Sequence, residues 1–173
     1  ALVFDNGMSR DDLDKIFECK NVQRERLSAL QSVGQYIKGE SPWTQTVVQQ
    51  YDLALPCATQ NEIDESAARR MVKNGIVGVL EGANLPTNMQ AQQVLRDNNI
   101  LYIPGKASNA GGVGVSGLEM SQNAQCLTWE RSEVDAKLQN MMANIYSTMK
   151  ENKGKGSLEQ GANRAGFIKV ATA

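Results

Sequence analysis

Three short stretches carry the side chains best suited to hold a ligand: Cys57-Ala58-Thr59-Gln60-Asn61, Glu81-Gly82-Ala83-Asn84 and Gly105-Lys106-Ala107-Ser108-Asn109. Each follows a short apolar run, "YDLALP" (51–56), "IVGVL" (76–80) and "NILYIP" (99–104). Amide and hydroxyl side chains both donate and accept hydrogen bonds, and small residues let a ligand reach the backbone. Asn and Gly are also ordinary turn residues, so each stretch taken singly has a purely structural reading as well. The chain has no histidine. That excludes a Ser-His-Asp triad, a Cys-His pair and any His-ligated zinc site. Cys19, Cys57 and Cys126 are far apart, odd in number and form no C-x-x-C. They read as free thiols in a reducing compartment.

The third stretch runs on into "AGGVGVSG" (110–117), where Gly112, Gly114 and Gly117 fit G-x-G-x-x-G. A true dinucleotide fingerprint follows a strand directly and has an acidic residue at the end of the next strand. Here the apolar run ends at Pro104, well before Gly112. The acidic residue at the required distance, Asp135, falls in a helical pattern. The match is therefore rejected as a pyrophosphate site. The glycines read instead as a loop and helix start that approach a ligand closely, with N–H groups suited to an anion such as a carboxylate.

The elements that must position these residues follow from periodicity. The three apolar runs are short and do not alternate, as expected for strands buried on both faces. Asp64 is an N-cap for "ESAARRMVK" and Gly75 its C′ residue. Thr87-x-x-Gln90 reads as a capping box before "MQAQQVLRD". A βαβαβ run with parallel strands and right-handed crossovers follows. Ligands bind beyond the carboxyl ends of such strands, which puts all three stretches on one edge. Ser9-x-x-Asp12 opens a helix with Leu13, Ile16 and Phe17 on one face, and 18–40 continues helically until Gly34. Val134, Leu138, Met141, Met142, Ile145 and Met149 form a core-facing helical stripe. "KENKGKGS" (150–157) is a solvated loop and not a P-loop. "LEQGANRAGFIKVATA" (158–173) is rich in small residues and suited to close packing.

Composition narrows the class. A chain of 173 residues with 41% hydrophobic and 21% charged residues suits one soluble globular domain. A net charge of -1 gives no electrostatic case for nucleic acid or an anionic membrane. At 5%, aromatics are too few for base-stacking platforms. No apolar run approaches the ~18 residues of a membrane span, and no signal peptide opens the chain, so cytoplasm is the expected compartment. The abrupt ends, "ALVFDNG" and "GFIKVATA", read as a piece of a longer chain.

Four stretches at matching spacing resemble the carboxyl-terminal part of the hexameric glutamate dehydrogenases, of the Glu/Leu/Phe/Val dehydrogenase family. They are "ALPCATQNEI" (54–63), "EGANLPT" (81–87), "PGKASNAGGVGVSGLEMSQN" (104–123) and "QGANRAGFIKVA" (160–171), with "SPWTQ" (41–45) and the helix after Trp129 also fitting. The resemblance implies a partial Rossmann-like, doubly wound α/β sheet followed by C-terminal helices. Residues 1–120 would be an incomplete dinucleotide-binding domain, and residues 121–173 helices that pack back on a substrate domain. It implies interconversion of L-glutamate with 2-oxoglutarate and ammonia, using NADP or NAD, with NADP favoured. By the same resemblance Ala58, Thr59 and Gln60 lie by the adenosine side of the cofactor, and Asn84 and Asn109 by the nicotinamide and its ribose. Val113 faces the substrate's carbon chain, and Ser116 bonds its side-chain carboxylate. Turn stabilisation stays open for both asparagines, and bonding to its own backbone for Ser116. The family's catalytic lysines and aspartate have no counterpart here, so no catalytic residue is assigned and the 173 residues alone are expected to be inactive. A homo-oligomer, hexameric in the family, is implied. A leucine, phenylalanine or valine dehydrogenase and a non-catalytic nucleotide-binding or assembly module are the alternatives.

Overall fold

A computed structural model describes residues 1–4, 6–39, 41–44 and 50–173. Gln45 of "SPWTQ" lies outside the described residues, as does Glu40 at the end of the expected 18–40 helix. The chain divides into two units, Ala1–Tyr51 and Asp52–Ala173.

In the first unit, β1 (Leu2–Val3) pairs antiparallel with β2 (Gln35–Tyr36), and α1 (Arg10–Phe17) lies between them in sequence. Ser9 caps α1 as the sequence indicates: its Oγ accepts from the Asp12 N–H, and Asp12 accepts from the Ser9 N–H in return. The hydrogen bond from the Ser9 hydroxyl, followed by that from its backbone, holds the Asp12 carboxyl below its usual range. The helix does not continue to Gly34 as expected. It widens into a π-helical turn over Glu18–Val22, and a 3₁₀ turn over Leu27–Leu30 leads into β2. The apolar side chains that suggested a long helix are served by a compact turn around the buried Cys19 and Leu30. At Gly34 a side chain would stand 3.0 Å from the Val3 carbonyl, so the strand pair closes over a bare backbone.

The second unit is built on the expected βαβαβ run. Strand β3 (Leu53–Ala54), helix α2 (Glu65–Lys73), strand β4 (Gly78–Leu80), helix α3 (Met89–Asp97) and strand β5 (Leu101–Ile103) follow in order. The sheet order is β3-β4-β5, both pairs parallel, with Ala54 beside Val79 and Val79 beside Tyr102. The strands are shorter than the apolar runs that encode them. α2 and α3 pack side by side and bury Ala67, Ala68, Met71, Ala91 and Leu95 with Ile63 and Val79. Complete burial of each large side chain contributes about 1.5–3 kcal/mol, so this layer is the core. Asp64 caps α2 through the Ala67 N–H at 2.8 Å, and Gly75 takes φ +83° just past its end. The cap of α3 differs from the expectation. Asn88, one residue after Thr87, accepts from the Ala91 N–H at 2.8 Å, while Thr87 is buried with its backbone N–H turned to Glu81.

A four-residue helix, α4 (Gly105–Ser108), follows β5, and then α5 (Ala110–Ala124), α6 (Arg131–Asn152) and α7 (Leu158–Ala171). The apolar stripe of α6 is half-buried, with Met149 fully enclosed, and faces α5 and α7. The charged run is shorter than expected, because α6 persists through Asn152. Ser157 caps α7 in a reciprocal box with Gln160. Phe167 and Val170 on its last turns remain 73% and 80% exposed.

Arg96 of α3 reaches Glu159 of α7, its Nη1 3.0 Å from both carboxylate oxygens. The glutamate side chain is only 14% exposed, so this ion pair is better shielded than the four helical i,i+4 pairs among the described residues. A double-mutant cycle with Arg96→Ala and Glu159→Ala is expected to give a coupling of about 1 kcal/mol, near the top of the range for accessible pairs. A coupling indistinguishable from zero in denaturant unfolding would show the pair to be ornamental.

Candidate functional site

The carboxyl ends of β3, β4 and β5 open into one cleft. Its volume is about 480 Å³ and its walls are Cys57, Ala58, Gln60, Gly82, Ala83, Asn84, Asn109, Gly112 and Val113. All three strand-end stretches therefore meet, as parallel topology requires. Of the residues singled out from sequence, Ala58, Gln60, Asn84, Asn109 and Val113 line this cleft. Thr59 and Ser116 do not. Thr59 is exposed beside it; its N–H and that of Ala58 both donate to Glu62 Oε1, at 3.3 and 3.1 Å, which shapes the loop. Ser116 lies one helical turn beyond Val113 on α5, exposed, and its hydroxyl has no partner among the described residues. Ser121, by contrast, bonds back to the Gly117 carbonyl.

Asn109 ties the cleft together. Its Nδ2 donates to the Gly82 carbonyl at 3.0 Å, the Ala83 carbonyl at 3.3 Å and Asn84 Oδ1 at 2.8 Å. Part of its task is thus structural, joining the end of α4 to the end of β4. The pairing commits Asn109 Nδ2 and Asn84 Oδ1, and leaves Asn84 Nδ2 as a donor and Asn109 Oδ1 as an acceptor without a partner among the described residues.

The glycine run is a helix and not the expected loop. Residues 110–117 form the first half of α5, so only the N–H groups of its first turn stand outside the helical ladder. The run is there for packing and space. A side chain at Gly114 would overlap Met141 of α6, whereas one at Gly112 would meet nothing. Because α4 intervenes between β5 and Gly112, the G-x-G-x-x-G match has no strand before it, and Asp135 sits on α6 bonded to Gln139. Both observations agree with its rejection as a pyrophosphate turn.

Behind the cleft lies a buried polar centre. Glu81, 1% exposed, accepts from the Gly105 N–H at 2.7 Å on Oε2, and from the Tyr102 hydroxyl at 2.8 Å and the Thr87 N–H at 3.3 Å on Oε1. Its own carbonyl accepts from the Ser108 hydroxyl. Burial, and then the hydrogen bond to Glu81, push the Tyr102 phenol well above its ordinary value, so it stays a donor across the working range.

A family model for glutamate/leucine/phenylalanine/valine dehydrogenases matches residues 1–173. The chain belongs to the glutamate/leucine/phenylalanine/valine dehydrogenase family. It is 42% identical to the NADP-specific glutamate dehydrogenase of Escherichia coli, over 100% of this chain and 39% of that protein. To the NAD(P)-specific glutamate dehydrogenase of Xylanibacter ruminicola it is 46% identical, over 97% of this chain and 38% of that protein. Among solved structures, a glutamate dehydrogenase of Plasmodium falciparum superposes with a TM-score of 0.88 at 41% identity, covering 99% of this chain and 38% of the other. The chain thus spans well under half the length of these relatives.

Sequence reasoning named the amides of this dehydrogenase-family cleft but missed the group behind them. By sequence alone Glu81 is only the first residue of a strand-end stretch. A usable signal was present: an acidic residue directly after an apolar strand, with a tyrosine inside the next one. A buried carboxylate requires donors, and a parallel neighbour strand brings that tyrosine alongside. No group of residues able to hold a metal ion occurs among the described residues. No described helix is long and apolar enough to cross a membrane.

Proposed function

We propose that this chain is the nucleotide-binding part of a glutamate dehydrogenase, which interconverts L-glutamate with 2-oxoglutarate and ammonia. The observation that carries the reading is the strand-end cleft, where Ala58, Gln60, Asn84, Asn109 and Val113 converge in a chain of this family. The residues fit a nicotinamide cofactor. Alanine and glycine walls admit a ligand to the backbone, and the Asn84 amide donor and Asn109 carbonyl acceptor left over from their mutual bond match a carboxamide or ribose hydroxyls. When bound, NADP or NAD supplies the hydride acceptor. Ala58, Thr59 and Gln60 take the adenosine side, and Asn84 and Asn109 the nicotinamide side. Val113 faces the substrate's carbon chain, and Ser116, whose hydroxyl is uncommitted, donates to its terminal carboxylate. NADP is favoured over NAD because the NADP-specific and NAD(P)-specific relatives are similar over nearly the whole chain.

On this reading residues 1–120 belong to the dinucleotide-binding domain, and the helices of 121–173 carry the apolar face of α7 toward a substrate domain. The active protein is a cytoplasmic homo-oligomer, hexameric as in the family it resembles. The 173 residues alone bind nucleotide without turnover, because the catalytic lysines and aspartate of the family have no counterpart among them.

The test is the complete gene product that carries these residues, assayed for reduction of NADP and NAD with glutamate and with leucine. Glutamate-dependent reduction far above the leucine rate is expected. A preference for leucine would move the protein to another branch of the family, and cofactor binding without turnover on any amino acid would make it a nucleotide-binding module. Turnover by residues 1–173 alone would overturn the assignment of the catalytic groups.

A further inference from the structure

We propose that Glu81 is a positioning residue for the nicotinamide end of the cleft: its buried carboxylate fixes Asn84 and Asn109 relative to each other. The inference rests on the cofactor reading above. Asn84 lies three residues after Glu81 on the β4 side, and Asn109 directly follows α4. The two segments come from different crossovers, so nothing local in sequence sets their separation. Glu81 does so at four points. Oε2 holds the Gly105 N–H that starts α4, and the Glu81 carbonyl holds Ser108 at its end. Oε1 holds Tyr102 of β5 and the Thr87 N–H, three residues after Asn84. The short helix is thus pinned to β4 at both ends, which places Asn109 where it bonds the Gly82 and Ala83 carbonyls and Asn84. A side chain at Gly105 would stand 2.7 Å from the Ala83 carbonyl, so the two segments are already at closest approach and any drift opens them. Glu81 itself does not line this cleft, so its influence on a ligand there passes through the two asparagines.

Glutamine at this position keeps the shape but retains one acceptor oxygen, and its amide then faces a donor. In Glu81→Gln the oxygen cannot serve the Gly105 N–H and the Thr87 N–H together. The experiment compares binding of NADPH, followed by nicotinamide fluorescence, with binding of ADP, in the complete gene product. Glu81→Gln is expected to weaken NADPH about tenfold and leave ADP within about twofold, since the loop of Ala58 and Gln60 has no bond to Glu81. Tyr102→Phe, which removes one of the three donors but keeps the Gly105 contact, is expected to weaken NADPH about threefold, again without affecting ADP. The second variant decides the matter if the first does not fold. Equal losses for both nucleotides would mean general loosening and overturn the proposal, as would unchanged NADPH binding in either folded variant. A wild-type protein that binds neither nucleotide would overturn the cofactor reading, and the positioning role with it. A wild-type protein that binds NADPH while the variants do not discriminate would sink only the role of Glu81.

Discussion

Gly161→Val is expected to lower stability by about 3 kcal/mol, or roughly 10 °C in Tm for a chain of this size. Gly161 lies in the first turn of α7, buried, where the helix crosses the end of α6. A side-chain carbon there would overlap the Met149 carbonyl and stand 3.1 Å from the Lys153 nitrogen. Both obstacles are backbone, so no rotamer change relieves them. The opposing effect is helix propensity, since glycine inside a helix costs about 1 kcal/mol relative to alanine. Gly161→Ala separates the two. Propensity alone predicts a gain of about 1 kcal/mol, and backbone overlap predicts a loss. We expect a loss, with the valine variant worse because both its branches point into the crossing. Thermal and denaturant unfolding of the three proteins checks this. An alanine variant more stable than wild type would show that α6 and α7 are further apart than described. Gly166, five residues along, has open space around it and serves as a control; alanine there should be neutral or stabilising.

The second large effect concerns substrate choice. Ser116→Ala is expected to raise KM for glutamate by about 10- to 100-fold while leaving the affinity for NADPH unchanged. A hydrogen bond to a charged group contributes about 1.5–3 kcal/mol net, and this is the corresponding range. The Ser116 hydroxyl has no partner among the described residues, so its loss leaves no bond there unmade and should not disturb α5. The helix itself gains slightly, because alanine is the better helix former. A drop in stability parallel to the rise in KM would therefore contradict the assignment. The same variant should lose little activity on an amino acid with an apolar side chain, because the missing bond is to the carboxylate alone. If KM for glutamate moves less than threefold, Ser116 is not the carboxylate partner, and the exposed position one turn beyond the cleft is simply solvent.

How far the sequence reaches can be seen residue by residue. The βαβαβ run was legible because strand-length apolar segments alternate with capped helices, and those signals are local. Asp64 and Ser9 bond within their own helical turn, so spacing alone determines them. The gathering of Ala58, Gln60, Asn84 and Asn109 at one edge was also legible, because parallel strands must present their carboxyl ends on the same side. The absence of histidine removed whole classes of chemistry without any structure at all. Four motifs at matching spacing named the family.

Other features depended on contacts between residues distant in sequence. Asn88 caps α3 in place of Thr87 because the Thr87 N–H is drawn to Glu81, a preference that no local pattern encodes. The glycine run is helical because Gly111 and Gly114 let α5 lie against Leu138 and Met141 of α6; in isolation the same residues favour a loop. The segment after α1 breaks into turns around Cys19 and feeds a strand, since β2 has β1 to pair with. Glu81 is the clearest case. From the sequence it is one acidic residue after an apolar run. Only the fold brings it a phenol from the neighbouring strand, an N–H from α4 and a second from the turn before α3. A buried carboxylate is tolerable only when such donors converge, and convergence is a property of three dimensions.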